Sequence, residues 1–150
     1  MTKHTDVYIG LGSNLGDRHT LLLTAIERLI QRVGPMLRCS SLVESEPWGF
    51  ESEHPFMNAV VLLQTTLSPR QLLEATQQIE RELGRTEQSH THTGNEGPEY
   101  HDRTIDIDIL LYGDETIDEP DLRIPHPLMQ QRPFVMEPLR EIQQPTGRVF

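Results

Sequence analysis

Apolar patterning along the 150-residue chain runs strand, helix, strand, strand, helix, strand. That order predicts an α+β domain, a ferredoxin-like βαββαβ sandwich with helices packed on one face of a mainly antiparallel sheet. Three observations carry the expectation. Short aliphatic runs bounded by Gly, Pro, Ser and Asn recur at strand length, two longer stretches repeat their apolar residues at helical spacing, and no internal repeat or linker divides residues 1–150, so one compact domain is expected.

The first strand is VYIGLG, Val7 to Gly12, followed by the turn-forming Gly-Ser-Asn-Leu-Gly. Asp17 then caps a helix on which Leu21, Leu22, Ala25, Ile26, Leu29, Ile30 and Val33 share a face, and Gly34-Pro35 stops it. Leu37 to Val43 and Phe56 to Thr66 read as strands, separated by an aromatic-containing loop with Pro47, Trp48, Gly49 and Phe50. Ser68, Pro69 and Gln71 make a capping box with proline in the first turn. The helix continues through Leu72, Leu73, Ile79 and Leu83 to Gly84. Residues 85–103 are polar and without period, suiting a loop or lid. A last strand follows, then short segments from Glu115 to Ile124, a Pro125-His126-Pro127 turn and an apolar group from Phe134 to Ile142.

Charge narrows the partners. With 13 Lys and Arg against 23 Asp and Glu, the formal net charge of −10 offers nucleic acid and anionic membranes no long-range attraction. Phosphate ligands would need local cations, for which Arg85, Arg103, Arg123 and Arg132 are available. The single cysteine, Cys39, rules out an intramolecular disulfide and a cysteine metal cage. The N-terminal MTKHTD lacks the apolar run of a signal peptide, and no segment reaches the ~20 apolar residues of a membrane span. A soluble, cytoplasmic monomer is expected.

The segment DRTIDIDILLYG, Asp102 to Gly113, carries the chemistry. On a strand, residues two apart lie on one side, roughly 6.6 Å apart. Asp106 and Asp108 then share a face and Ile105, Ile107, Ile109 and Leu111 line the other. Partly burying two carboxylates is costly unless a cation lies between them, and hard Mg²⁺ held by one or two carboxylates plus phosphates suits this pair. A solvated acidic strand face is the alternative, and an isolated Asp-x-Asp does not separate the two. His90 and His92, with His101 nearby, would make a transition-metal site only with a ligand spacing that is not present. The Gly12-to-Gly16 turn lacks the length and the Lys-Ser/Thr pair of a phosphate-cradling loop and reads as architectural, lining the cleft at most.

Taken together and in order, GSNLGD (Gly12 to Asp17), FMNAVV (Phe56 to Val61), QQIERELGR (Gln77 to Arg85), DRTIDIDILLYG and IPHP (Ile124 to Pro127) resemble the 6-hydroxymethyl-7,8-dihydropterin pyrophosphokinases of folate biosynthesis. The resemblance spans nearly the whole chain and ends where a monofunctional member would. It implies transfer of pyrophosphate from MgATP to 6-hydroxymethyl-7,8-dihydropterin, giving the pterin diphosphate and AMP. Asp106 and Asp108 would hold two Mg²⁺ ions, while Arg85 and Arg103 would be catalytic arginines flanking a closing loop. It further implies ATP contacts at Gln77, Glu80, Tyr100, Ile109, Arg123, His126 and Arg132. Pterin contacts are implied at Ser45, Glu46, Trp48, Phe56, Asn58 and Phe134. The phenylalanines would stack on the ring, with apolar core as their alternative. Asn58 would offer its edge both a donor and an acceptor.

The resemblance has departures. Tyr100-His101-Asp102-Arg103 stands where many members carry Arg-Trp-Gly-Pro-Arg, which makes Tyr100 the aromatic substitute, and Glu87 stands where others are basic. The expected consequence is altered nucleotide affinity or loop kinetics with the reaction retained. Two other functions use the same carboxylates: a non-catalytic metal-nucleotide sensor, and a nuclease, for which this acidic chain offers no polyanion path.

Overall fold

The computed structural model describes residues 3–14, 16–45, 55–85 and 105–143. Strand β1 (Thr5–Ser13) leads to helix α1 (Arg18–Arg32), then β2 (Met36–Cys39), β3 (Val43–Ser45) and β4 (Phe56–Thr65). Helix α2 (Pro69–Glu80) and a wider turn over Arg81–Arg85 follow, then β5 (Asp106–Tyr112), the hairpin of β6 (Ile117–Glu119) and β7 (Leu122–Ile124), and helix α3 (Pro133–Gln143). The main sheet has the order β2-β4-β1-β5, with β3 also paired to β4, and each of these pairings is antiparallel. This is the expected α+β class with helices packed on an antiparallel sheet. Among the described residues no helix is long and apolar enough to cross a membrane.

The capping signals act as expected. Asp17 accepts hydrogen bonds from the Thr20 backbone N–H (3.2 Å) and hydroxyl (2.9 Å). Ser68 and Gln71 exchange the two bonds of a capping box, at 3.2 and 2.9 Å. Leu22, Ala25, Ile26 and Leu29 of α1 and Leu72 and Ile79 of α2 bury against Val7, Ile9, Val61 and Leu63 on one sheet face. Ile30, expected on that apolar face, is instead 39% exposed, because the stripe of α1 facing the sheet is narrower than the spacing suggested.

Three further expectations are corrected and one is refined. The helices do not all lie on one face: α3 covers the opposite side, where Val135, Met136 and Leu139 pack on Val60, Leu62 and Leu110. The predicted strand Leu37 to Val43 is two strands, divided at Ser40, whose N–H donates to the Val60 carbonyl while its hydroxyl accepts from the Val60 N–H, both at 2.9 Å. The side chain thus replaces a strand partner there. The short segments before Ile124 form a β6–β7 hairpin. Finally, Leu111 does not share the face of Ile107 and Ile109, because β5 holds one extra residue between the pairs Ile9–Ile109 and Tyr8–Leu111. That bulge sets Leu111 on the α3 side beside Leu110 and returns Tyr112 to the first core.

Gly34 ends α1 at φ 156°, and a Cβ there would stand 1.9 Å from the Gln64 carbonyl oxygen. Backbone meeting backbone cannot yield as a side chain can. Gly34→Ala is therefore expected to lower unfolding stability by about 3 kcal/mol or more, measured by urea denaturation; a loss below about 1 kcal/mol would contradict this packing.

Candidate active site

The site is laid out by the register of β1 with its two neighbours. Gly12 pairs with Asn58 of β4 on one side and Asp106 of β5 on the other, and Gly10 likewise pairs with Val60 and Asp108. Directly paired residues share a face. The row Asn58, Gly12, Asp106 therefore crosses three strands on the α3 side of the sheet. Asp106 and Asp108 are half-buried and share this face, as the alternation predicted.

The outer edge of β5 is closed by α2. The Ile107 N–H, between the two aspartates, donates to Glu80 Oε2 at 2.7 Å, and Glu80 is 5% exposed. A carboxylate at the end of α2 thus takes a backbone donor that the edge strand would otherwise leave without a strand partner. The resemblance implied nucleotide contacts at both Glu80 and Gln77, but the structure separates the two side chains. Gln77 is exposed, while Glu80 holds the strand that bears the aspartates.

Two basic side chains approach Asp108. Arg132, buried just before α3, brings Nη1 to 3.9 Å from Asp108 Oδ2, and its guanidinium lies 5.9 Å from the centre of the Phe134 ring. His126 Nε2 lies 3.9 Å from Asp108 Oδ1, while Nδ1 accepts the Leu128 N–H at 3.3 Å. Burial, helped by the positive charge of Arg132 and opposed by Asp106, pushes the His126 pKa down from 6.5 to about 4. His126 is therefore neutral at pH 7, and with Nδ1 accepting, its proton sits on Nε2 toward the aspartates. The His126 N–H bonds the Leu110 carbonyl at 3.1 Å, tying the 124–127 turn to the β5 bulge.

A cleft of about 720 Å³ opens beside β5, lined by Leu73, Asp108, Ile109, Pro120, Arg123 and His126 among others. It gathers three of the expected nucleotide residues, Ile109, Arg123 and His126, next to one aspartate. Arg123 is exposed and lies 3.3 Å from Asp118 across the hairpin. The lining of Leu73, Pro120 and Pro127 was missed in the sequence, where nothing about an isolated apolar or proline residue signals a cleft wall.

At the other end of the row, Phe56 opens β4 opposite Ser45 of β3, and Phe134 is half-buried against the α3-side core. Asn58 Nδ2 donates to the Val43 carbonyl (3.1 Å) and to Ser45 Oγ (2.8 Å). Both amide protons are spent inside the protein, so Asn58 has an acceptor to offer a ligand and not the donor-acceptor pair expected from its chemistry. Arg18 Nη1, which sequence analysis did not single out, donates to Glu44 Oε2 (3.1 Å) and to the Pro55 carbonyl (2.9 Å). It spans the two stems of the 46–54 segment. Glu46, Trp48, Tyr100 and Arg103, with His90, His92 and His101, lie outside the described residues, as does the Arg85 side chain.

The donor chemistry fits a hard cation. Asp106 and Asp108 supply carboxylate oxygens on one face, and among the described residues no group of three His, Cys, Asp or Glu gathers to form a closed metal cage. Open positions left to phosphate and water are the pattern of Mg²⁺. Same-face aspartates beside a buried arginine and a cleft, on this sheet, define an α+β domain with a site suited to charged groups.

The family model for 7,8-dihydro-6-hydroxymethylpterin-pyrophosphokinase (HPPK) matches residues 8–144. The 2-amino-4-hydroxy-6-hydroxymethyldihydropteridine pyrophosphokinase of Porphyromonas gingivalis is 55% identical over 137 residues, covering 91% of this chain and 89% of that protein. The Bacillus subtilis protein of the same name is 46% identical over 136 residues, covering 90% and 76%. A solved structure of Plasmodium falciparum HPPK-DHPS, wild type with SDX-DHP, matches with TM-score 0.70 at 16% identity, over 94% of this chain and 41% of that one. The chain belongs to the 7,8-dihydro-6-hydroxymethylpterin-pyrophosphokinase family.

The depressed His126 pKa has a signed consequence. The fold favours neutral imidazole, so the contribution of His126 to stability is complete above the unfolded value of 6.5 and is lost as pH falls toward about 4. In the metal-free protein, NMR is expected to show His126 titrating near pH 4, well below exposed histidines, with unfolding stability declining through that window. A midpoint near 6.5 would contradict the burial.

Proposed function

We propose that this chain transfers the pyrophosphoryl group of MgATP to the hydroxymethyl oxygen of 6-hydroxymethyl-7,8-dihydropterin. The observation that supports this most is the row from Asn58 across Gly12 to Asp106, which sets an amide suited to a ring edge and a carboxylate suited to a metal on one face of the sheet. The pterin hydroxyl oxygen attacks the β-phosphorus of ATP, the bond from that phosphorus to the oxygen bridging the α-phosphorus breaks, and AMP departs as the hydroxyl proton is lost. Such transfer depends chiefly on positioning and on neutralising charge. Asp106 and Asp108 would hold two Mg²⁺ ions, which when bound would supply positive charge to offset that of the phosphates.

The remaining roles belong to protein groups. Arg132, fixed beside Asp108, faces phosphate as a cation that cannot be deprotonated, and neutral His126 donates from Nε2 without adding charge. Arg123 and Ile109 border the nucleotide in the cleft beside β5. Gln77 is placed at the nucleotide by resemblance alone, as are Tyr100, Arg85 and Arg103, the last two as loop arginines. Glu80 acts on ATP indirectly, by holding β5. Ser45, Phe56, Asn58 and Phe134 take the pterin with Glu46 and Trp48, Asn58 through its acceptor oxygen. Product release feeds folate synthesis. A non-catalytic sensor gains no support from relatives named as pyrophosphokinases.

The test is formation of AMP from ATP, which is expected only when Mg²⁺ and the hydroxymethyl-dihydropterin are both present. Asp106→Ala and Asp108→Ala are expected to lower turnover by ~100-fold or more with the circular dichroism spectrum unchanged. Undiminished AMP formation in either variant would reject the carboxylate assignment, and none in the wild-type chain would reject the activity.

A further inference from the structure

We infer that Arg70 is a positioning residue for the nucleotide: it clasps the β6–β7 hairpin to α2 and so sets the spacing of the cleft walls without lining the cleft itself. This rests on the reading of that cleft as the nucleotide side of the site. Nothing in α2 calls for a cation at this point. Arg70 stands in the first turn, where the positive end of the helix dipole favours anions, and no acidic residue accompanies it there. The helix start is already secured by the Ser68–Gln71 capping box.

Arg70 reaches instead to the turn joining β6 and β7. Its Nη1 and Nη2 donate to Asp121 Oδ2 and Oδ1 at 2.9 and 2.8 Å, a bidentate pair, and Nη2 also donates to Glu119 Oε1. One planar group thus grips the hairpin on both sides of Pro120. Arg70 holds the Asp121 carboxyl below the usual carboxylate range, so the clasp is ionised at neutral pH. The hairpin has use for such a hold. Its strands form a two-stranded sheet apart from the main one, and although Leu122 and Ile124 enter the first core, Glu119, Pro120 and Asp121 are exposed. That same turn lines the cleft through Pro120 and Asp121, while α2 contributes Leu73, three residues from Arg70 and on the same helical face. The clasp therefore joins the two elements whose separation the nucleotide must fit. An exposed ion pair adds little to global stability, so the effect of this one falls on the spacing.

The experiment compares wild type with Arg70→Ala and with the double variant Glu119→Gln/Asp121→Asn. It measures affinity for a non-hydrolysable ATP analogue with Mg²⁺, affinity of the analogue-saturated chain for 6-hydroxymethylpterin, AMP formation and urea unfolding. Both variants break the clasp, but they change the charge beside the cleft in opposite directions. Each is expected to weaken nucleotide binding about 3- to 10-fold and to raise KM for ATP by a similar factor, with kcat and pterin affinity within about twofold of wild type and the urea midpoint close to it. Unchanged nucleotide affinity in Arg70→Ala would overturn the inference. So would a loss in Arg70→Ala that the double variant does not share, which would assign the effect to charge and not to spacing. Equal loss of both ligands, or a large fall in urea midpoint, would overturn it by marking Arg70 as a general structural tie. All three results leave the pyrophosphokinase reading intact, whereas a wild-type chain that binds no nucleotide would overturn that reading and this inference with it.

Discussion

Pairing of the central strand β1 with β4 and β5 is the constraint on which the rest depends. Its backbone is hydrogen-bonded on both sides, so residues from three strands far apart in sequence are brought into rows with no freedom to slide. A slip of one residue on β5 would carry Asp106 and Asp108 into the aliphatic core beneath α1 and α2 and lift Ile107 to the site. The apolar cost of that exchange holds the register. The bulge at Leu110 confines the acidic face to one end of β5, giving the other end to Leu110 and Leu111 beneath α3.

Charge at the site is offset locally only in part, as in the acidic chain as a whole. Arg132 beside Asp108 supplies a fixed cation, and His126 stays neutral because its burial and Arg132 both oppose a second one. Glu80 is turned away from this balance by accepting the Ile107 N–H. The result is a face with two carboxylates, one buried guanidinium and a neutral N–H donor, a composition suited to a cation bridging protein and phosphate.

Ties farther out hold the surroundings of that face. Arg70, at the start of α2, pairs with Glu119 and Asp121 of the β6–β7 hairpin, which carries cleft-lining Pro120 and Arg123. Arg18 binds Glu44 and Pro55 on either side of the 46–54 segment. Exposed pairs of this sort contribute little to global stability; what they restrict is the position of a hairpin and of two strand ends.

Local signals in the sequence determined the helix caps at Asp17 and Ser68, the α+β order of elements, the shared face of the aspartates and the family. Each rests on contacts within a few residues or on a period of the chain. Tertiary structure alone decided the rest. The bulge that turns Leu111, the Ser40 break between β2 and β3, the placing of α3 on the far face and the backbone role of Glu80 all depend on partners 20 or more positions away, set by packing across the sheet. Glu80 shows the division most clearly. In the sequence it is one more polar residue near the end of a helix, and only the fold that brings it to the Ile107 N–H between the two aspartates makes it a support of that strand.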